Sequence, residues 1–329
     1  MTPCWTRLLQ TRSFFSSAFR WHENPLGLPR SGALPPPQMP RRAGAIQKRR
    51  IPNVKRVVAV ASGKGGVGKS TIAVNLAFAL SSLRPSDSGA RLRVGVLDLD
   101  IFGPSIPTLL GLKKAEEPLL TDGGAIVPLV NHGIPTMSMG FLLPRSADSA
   151  STDDTPVVWR GLMVQKAVQQ LLFDVDWNAA DGLGLGLDVL VIDMPPGTGD
   201  VPLTLGQLVH VDGSVIVSTP QDVALADVRK GIAMLRKVAV PITGIVLNQS
   251  YFKCPSCEDK HYLYGSPDLF RSTASRLGVD VLAELPLEPG VSQGGDVGKP
   301  FALHAAKAGE SLWLKDMDTV AERLWQAVR

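Results

Sequence analysis

The sequence predicts an α/β protein with a mostly parallel central sheet and helices on both faces. Three observations predict it. Short strands recur that are apolar on both sides, as in a sheet covered above and below. They alternate with helical segments, the pattern of βαβ units. A glycine-rich loop joins the first strand to the first helix. At 329 residues and 44 % hydrophobic content, the chain can bury the core of one large domain. That composition excludes disorder of the whole chain.

The elements follow in order. Val57–Ala61 is a buried strand, and Ser70–Leu83 after the glycine loop has helical spacing. Val94–Leu97 is a second strand, running into Asp98 and Asp100. Residues 118–140 read as short strands and turns. Gly161–Phe173 is an amphipathic helix with Leu162, Val168, Leu171 and Leu172 on its apolar side. Val189–Ile192, Val215–Val217 and Ile242–Leu247 are further strands, with a helix at Val223–Val238. Leu269–Leu277 is helical, Val281-Leu282 a strand, and Trp313–Val328 a closing helix. Pro144–Pro156 and Ala179–Leu187 are loops without an assigned function. One domain is expected over 54–329, with no internal repeat.

The net charge of +4 conceals an asymmetry. Residues 1–50 hold nine Lys/Arg and one acid, Glu23, so the other 279 carry 25 basic and 29 acidic groups. Residues 1–22 are rich in Arg and Ser, with Trp5, Leu8, Leu9, Phe15 and Phe19 spaced to share one helical face. That is the composition of a mitochondrial transit peptide; a disordered basic tail is the alternative. No apolar core follows the charges, which excludes a secretory signal. Residues 23–53 form a Pro-rich linker. Without the leader the chain is acidic, and no basic patch stands beyond the phosphate-loop lysines, so nucleic acid is not an expected ligand. No apolar stretch is long enough for an integral membrane segment.

Gly63-Lys64-Gly65-Gly66-Val67-Gly68-Lys69-Ser70 matches G-x-x-x-x-G-K-S/T between a strand and a helix. The glycines let backbone N–H groups converge on phosphate oxygens, and the helix N-terminus adds its dipole. Lys69 is placed to reach the β- and γ-phosphates of ATP, and the Ser70 hydroxyl to ligate Mg²⁺. Gly63, Gly65 and Gly68 also spell the dinucleotide fingerprint G-x-G-x-x-G, but that turn has no use for Lys69-Ser70. Val189–Asp193 is an apolar strand ending in an acid, suited to hold Mg²⁺ through water. Pro195–Asp200 after it is a turn-rich segment with N–H groups free to sense a γ-phosphate. Asp98 and Asp100 end a strand at the same sheet edge, where ligands of such sheets bind. Taken singly, either is as well explained as a helix cap or turn residue.

The loop carries a second lysine, Lys64, in the form Lys-Gly-Gly-Val-Gly-Lys-Ser-Thr through Thr71. It resembles the deviant phosphate loop of the MinD/Mrp branch of P-loop ATPases. Leu97–Pro107 and Asp193–Asp200 look like the two switch segments of the Mrp/nucleotide-binding-protein family. Ser218-Thr219-Pro220-Gln221-Asp222, Cys254-Pro255-Ser256-Cys257 and Val158–Met163 are also similar. The resemblance covers nearly all of 54–303. With the leader, it points to the mitochondrial branch, which supplies iron–sulfur clusters to respiratory complex I. It implies that Lys64 acts on a partner's nucleotide across a homodimer. It also implies that Asp100 orients water or contacts Mg²⁺, and that Asn248 contacts adenine. The family often has methionine after that asparagine; here it is Gln249. The two loops are insertions relative to the family.

The chain has three cysteines, which excludes a disulfide framework. Cys254 and Cys257, in an insert near 250–265, place two thiols in one turn. Two thiolates cannot complete a tetrahedral zinc site or a four-thiolate cluster, but a symmetric dimer supplies two and two. The resemblance implies a [4Fe-4S] cluster bridging that homodimer. Zinc meets the same ligand count, and a redox pair is the third option, although no thioredoxin-like context surrounds it. His261, four residues past Cys257, could pose as a ligand, but a lone loop histidine is more often solvated, and it is left out of the set. The expectation is an ATP- and Mg²⁺-binding carrier in the mitochondrial matrix that hydrolyses ATP slowly. It would hand its cluster to apo iron–sulfur proteins, complex I subunits among them. A MinD-like positioning switch and a zinc-bridged metal chaperone are the rivals.

Overall fold

The computed structural model describes residues 47–85, 89–101, 103–142, 161–179, 184–304 and 311–329. The expected leader, most of the linker, the Pro144–Pro156 loop and Val158–Arg160 lie outside the described residues, as do Cys4, Phe102 and the side chain of Leu162. Among the described residues the strands are β1 Val54–Ser62, β2 Val94–Asp98, β3 Leu129–Asn131, β4 Ile134–Ser138, β5 Leu187–Asp193, β6 Gly213–Ser218, β7 Gly244–Lys253, β8 Lys260–His261 and β9 Val281–Pro286. The helices are α1 Lys69–Ser82, α2 Ile106–Leu109, α3 Gly161–Phe173, α4 Asp200–Leu208, α5 Asp222–Lys237, α6 Asp268–Arg276, α7 Pro289–Asp296 and α8 Leu312–Val328.

The sheet runs β3-β4-β2-β5-β1-β6-β7, with β9 against β7. Every pairing from β4 to β9 is parallel; β3 is antiparallel at its edge. The mostly parallel sheet read from the sequence is therefore the fold. β2 and β6 are buried along their whole length, which is why they read as unbroken apolar runs. α1 packs against α8, while α3, α4 and α5 pack on one another in a second layer. Held between the sheet and α8, Ile72–Leu80 of α1 are all buried. Asn75 inside this helix stays satisfied: its Nδ2 donates to Thr71 O at 2.8 Å and its Oδ1 accepts from Ala302 N at 2.8 Å.

Several features depart from the sequence reading, α2 and β8, which it did not contain, among them. α4 and α7 form where turns or nothing were expected. β7 continues past Leu247 to Lys253 and leads directly into the cysteine pair. The end of the stretch read as linker packs on the domain: Arg49 bridges Val209, its guanidinium lies 3.4 Å from the Phe173 ring centre, and Ile51 is fully buried.

Candidate functional site

Parallel strands bring their C-terminal ends to one edge, and the register sets the level of each side chain. Asp98 of β2 pairs with Asp193 of β5, and Asp193 pairs with Val60 of β1, three residues before Gly63. Leu99 N donates to Asp193 O at 2.9 Å, Met194 N to Val60 O at 3.1 Å and Gly197 N to Ser62 O at 2.8 Å. These bonds lace the segments that follow Asp98 and Asp193 to the strand that leads into the glycine loop.

Gly66 and Gly68 hold φ of +80° and +82°, left-handed backbone that glycine adopts without strain. A Cβ on Gly68 would also lie 2.5 Å from Asn248 Nδ2. α1 begins with no side-chain cap and no acid in its first turn, leaving its first N–H groups for an anion. Lys69, nine-tenths buried, donates to Asp193 Oδ1 and lies 3.2 Å from Ser70 Oγ. Asp193 is fully buried and its Oδ2 has no hydrogen-bond partner. A buried carboxylate oxygen left unpaired costs roughly 1–3 kcal/mol or more, so this one is a ready acceptor for a cation or its water shell. Burial pushes the Asp193 carboxyl up, and Lys69 opposes that shift.

Asp98 is also fully buried. Its Oδ1 accepts from Asp100 N at 2.9 Å, and its Oδ2 from Ser138 Oγ at 2.9 Å. Burial, and then the charge of Asp193, raise its carboxyl to about 8. Asp98 thus holds the turn that follows β2, in which Asp100 is half-buried. Lys64 is exposed, 3.4 Å from Gln221 Oε1 of its own chain. Asn248 is buried beneath the loop, and its Nδ2 donates to Val67 O at 2.9 Å. The structure thus gathers Gly63–Thr71, Asp98, Asp100, Asp193 and Asn248 at one edge. It places Cys254 and Cys257 apart from them, in the turn just past the end of β7.

There β7 and β8 form an antiparallel hairpin, with Phe252 opposite His261 and Lys253 opposite Lys260. Cys254 N donates to Asp259 O at 3.0 Å and Glu258 N to Cys254 O at 2.9 Å, closing the turn. Cys254 is half-buried and Cys257 exposed. Hydrogen bonds from the Cys257 and Ser256 backbone N–H groups lower the Cys254 thiol below its ordinary value, favouring the thiolate that binds metals. His261, read from sequence as merely solvated, belongs to this cluster: the ligand atoms of Cys254, Cys257 and His261 all lie within 4.8 Å of one another. No spacing motif signals it; only the hairpin register does. Among the described residues, no helix is long and apolar enough to cross a membrane.

A parallel sheet carrying a strand–glycine loop–helix unit beside two buried acids defines a P-loop NTPase. The chain belongs to the ParA family, in the group described as the NUBPL iron-transfer P-loop NTPase, whose model matches residues 53–325. It is 47 % identical over 268 residues to the iron-sulfur cluster transfer protein NUBPL of Mus musculus, covering 82 % of this chain and 77 % of the relative. It is 42 % identical over 260 residues to the iron-sulfur protein required for NADH dehydrogenase, mitochondrial, of Arabidopsis thaliana, covering 79 % and 75 %. Among solved structures it is similar to the nucleotide-binding protein of Archaeoglobus fulgidus in complex with ADP, in which cobalt was found. That match has 33 % identity and a TM-score of 0.61, and covers 81 % of this chain and 93 % of the other.

Proposed function

We propose that this protein is an ATP-dependent iron–sulfur cluster carrier of the mitochondrial matrix, delivering [4Fe-4S] clusters to apo-proteins that include complex I subunits. The observation that carries it is the cysteine pair, Cys254 half-buried and Cys257 exposed, just past the end of the strand that braces the phosphate loop. Relatives named for cluster transfer and for NADH dehydrogenase support the class of client.

The phosphate site fits its ligands. Gly65–Gly68 N–H groups would receive the phosphates, and Lys69 would exchange Asp193 for them. Ser70 and Asp193 would hold Mg²⁺, which neutralises phosphate charge when bound. Asp98 fixes the first switch segment so that Asp100 meets the water or metal there. Lys64 reaches a second copy's nucleotide, Thr71 completes the first helical turn, and Asn248 borders the base. The cluster is cargo: two thiolates from each of two chains make its four ligands, exposed where a client's thiols compete. Few ligands and exposure suit release better than storage. Residues 1–22 are the import leader.

Nucleotide state would gate the cargo through β7. The test loads the protein anaerobically and follows transfer to an apo acceptor with and without ATP. Transfer is expected to depend on ATP in the wild type and to lose that dependence in Lys69→Ala. Equal ATP response in both would overturn the coupling.

A further inference from the structure

The cysteine hairpin has two faces, set by cross-strand register. Side chains opposite each other across an antiparallel pair share a face, and diagonal neighbours lie within reach of longer side chains. Phe252 and His261 are opposite, and Cys254, two residues beyond Phe252, is the diagonal neighbour of His261 on that face. On the other face Lys260 Nζ lies 4.3 Å from the ring centre of buried Tyr251, and Tyr262 meets the same ring edge-on with centroids 6.3 Å apart. These contacts anchor β8 and so fix where His261 stands. The exposed turn that bears Cys257 folds back over the first face, bringing three donors together.

We infer that Cys254, Cys257 and His261 form a mononuclear site within one chain for a thiophilic divalent cation, zinc or iron(II), with a fourth position open. Two thiolates and an imidazole are borderline-soft donors that suit such ions and not magnesium or calcium. A tetrahedral site with these bond lengths needs donor separations of about 3.5–3.8 Å. The observed limit of 4.8 Å is closed by about 1 Å of side-chain rotation. Binding releases the two thiol protons to solvent and needs no second copy. His261 is then a ligand that a second chain's thiolate displaces, so one turn serves two states: a single-chain metal site and half of a shared one.

The inference stands apart from the cluster reading. Loss of cluster with Co²⁺ binding intact defeats only that reading; the reverse defeats only this one. The full chain, reduced and metal-free under anaerobic conditions, is titrated with Co²⁺ alone. The expected result is one Co²⁺ per chain, with strong tetrahedral d–d bands and thiolate charge transfer. His261→Ala is expected to weaken Co²⁺ binding at least about tenfold, and His261→Cys to restore it with added charge-transfer intensity. One Co²⁺ per two chains, or a His261→Ala titration matching wild type, would overturn the site. Because His261 is exposed, neither variant is expected to alter folding.

Discussion

At the residue scale, the phosphate site is a problem of buried charge. Lys69 and Asp193 neutralise each other where neither is solvated, so removing one strands the other. Lys69→Ala is expected to destabilise the protein by about 3–5 kcal/mol and to weaken ATP at least about tenfold. Adding Asp193→Asn should recover much of the stability, by denaturant titration, while ATP binding stays lost. Recovery of both would mean that Lys69 serves only the acid. Asp98 gives a pH signature of its own. Its carboxyl is raised from 3.8 to about 8, so the folded state holds a proton that the unfolded chain releases. Stability therefore falls as pH rises from about 4 to about 8, and levels off beyond. Without nucleotide or Mg²⁺, Asp98→Asn should flatten that fall and raise the thermal midpoint at pH 8 by at least about 3 °C. An unchanged slope would show that Asp98 is ionised in the folded protein.

The glycine loop and the acids were legible in the sequence because their spacing is local: one strand, one turn and one helix carry the motif. Asp98 and Asp193 lie 95 residues apart, yet each ends an apolar run, and parallel register then brings them level. His261 was not legible. A lone histidine four residues past a cysteine can be a ligand or merely solvated, and only the turn at Pro255–Glu258 with Phe252 paired to His261 decides for the cluster.

At the element scale, α4 and α7 escaped the sequence reading because their composition opposes helix. α4 contains Pro202 and Gly206, and α7 contains Pro289, Gly290, Gly294 and Gly295. Packing outweighs propensity here. A Cβ on Gly206 would lie 2.4 Å from Val238 Cγ2, so glycine is what lets α4 approach the end of α5. Gly206→Ala should therefore cost about 1–3 kcal/mol by overpacking, although alanine is the better helix former. Val238→Ala in the same chain should return part of it. A stabilising Gly206→Ala would refute close packing at this contact. The strand boundary of β7 was missed for a related reason: Gln249, at φ +53°, interrupts the strand pattern, and pairing with β9 shifts register there before resuming at Tyr251.

At the scale of the whole molecule, the sequence shows where the basic charge lies: nine of the 34 Lys/Arg fall in residues 1–50, beside a single acid. Lys48, Arg49 and Ile51 supply the first contacts among the described residues. Removing residues 1–46 should leave the thermal midpoint unchanged, and residues 1–22 fused to a fluorescent reporter should carry it into mitochondria. A cytosolic reporter would reassign that segment as a basic tail. Fold class was legible because alternating apolar strands and helices admit few arrangements.

The central claim is that Cys254 and Cys257 carry an iron–sulfur cargo. The most direct measurement is iron and acid-labile sulfide per chain after anaerobic reconstitution, read with the visible spectrum. About two iron and two sulfide per chain are predicted for a shared four-iron cluster, with broad absorption in the blue that Cys254→Ala abolishes. Stoichiometric zinc without iron, or a cluster retained in Cys254→Ala, would contradict it.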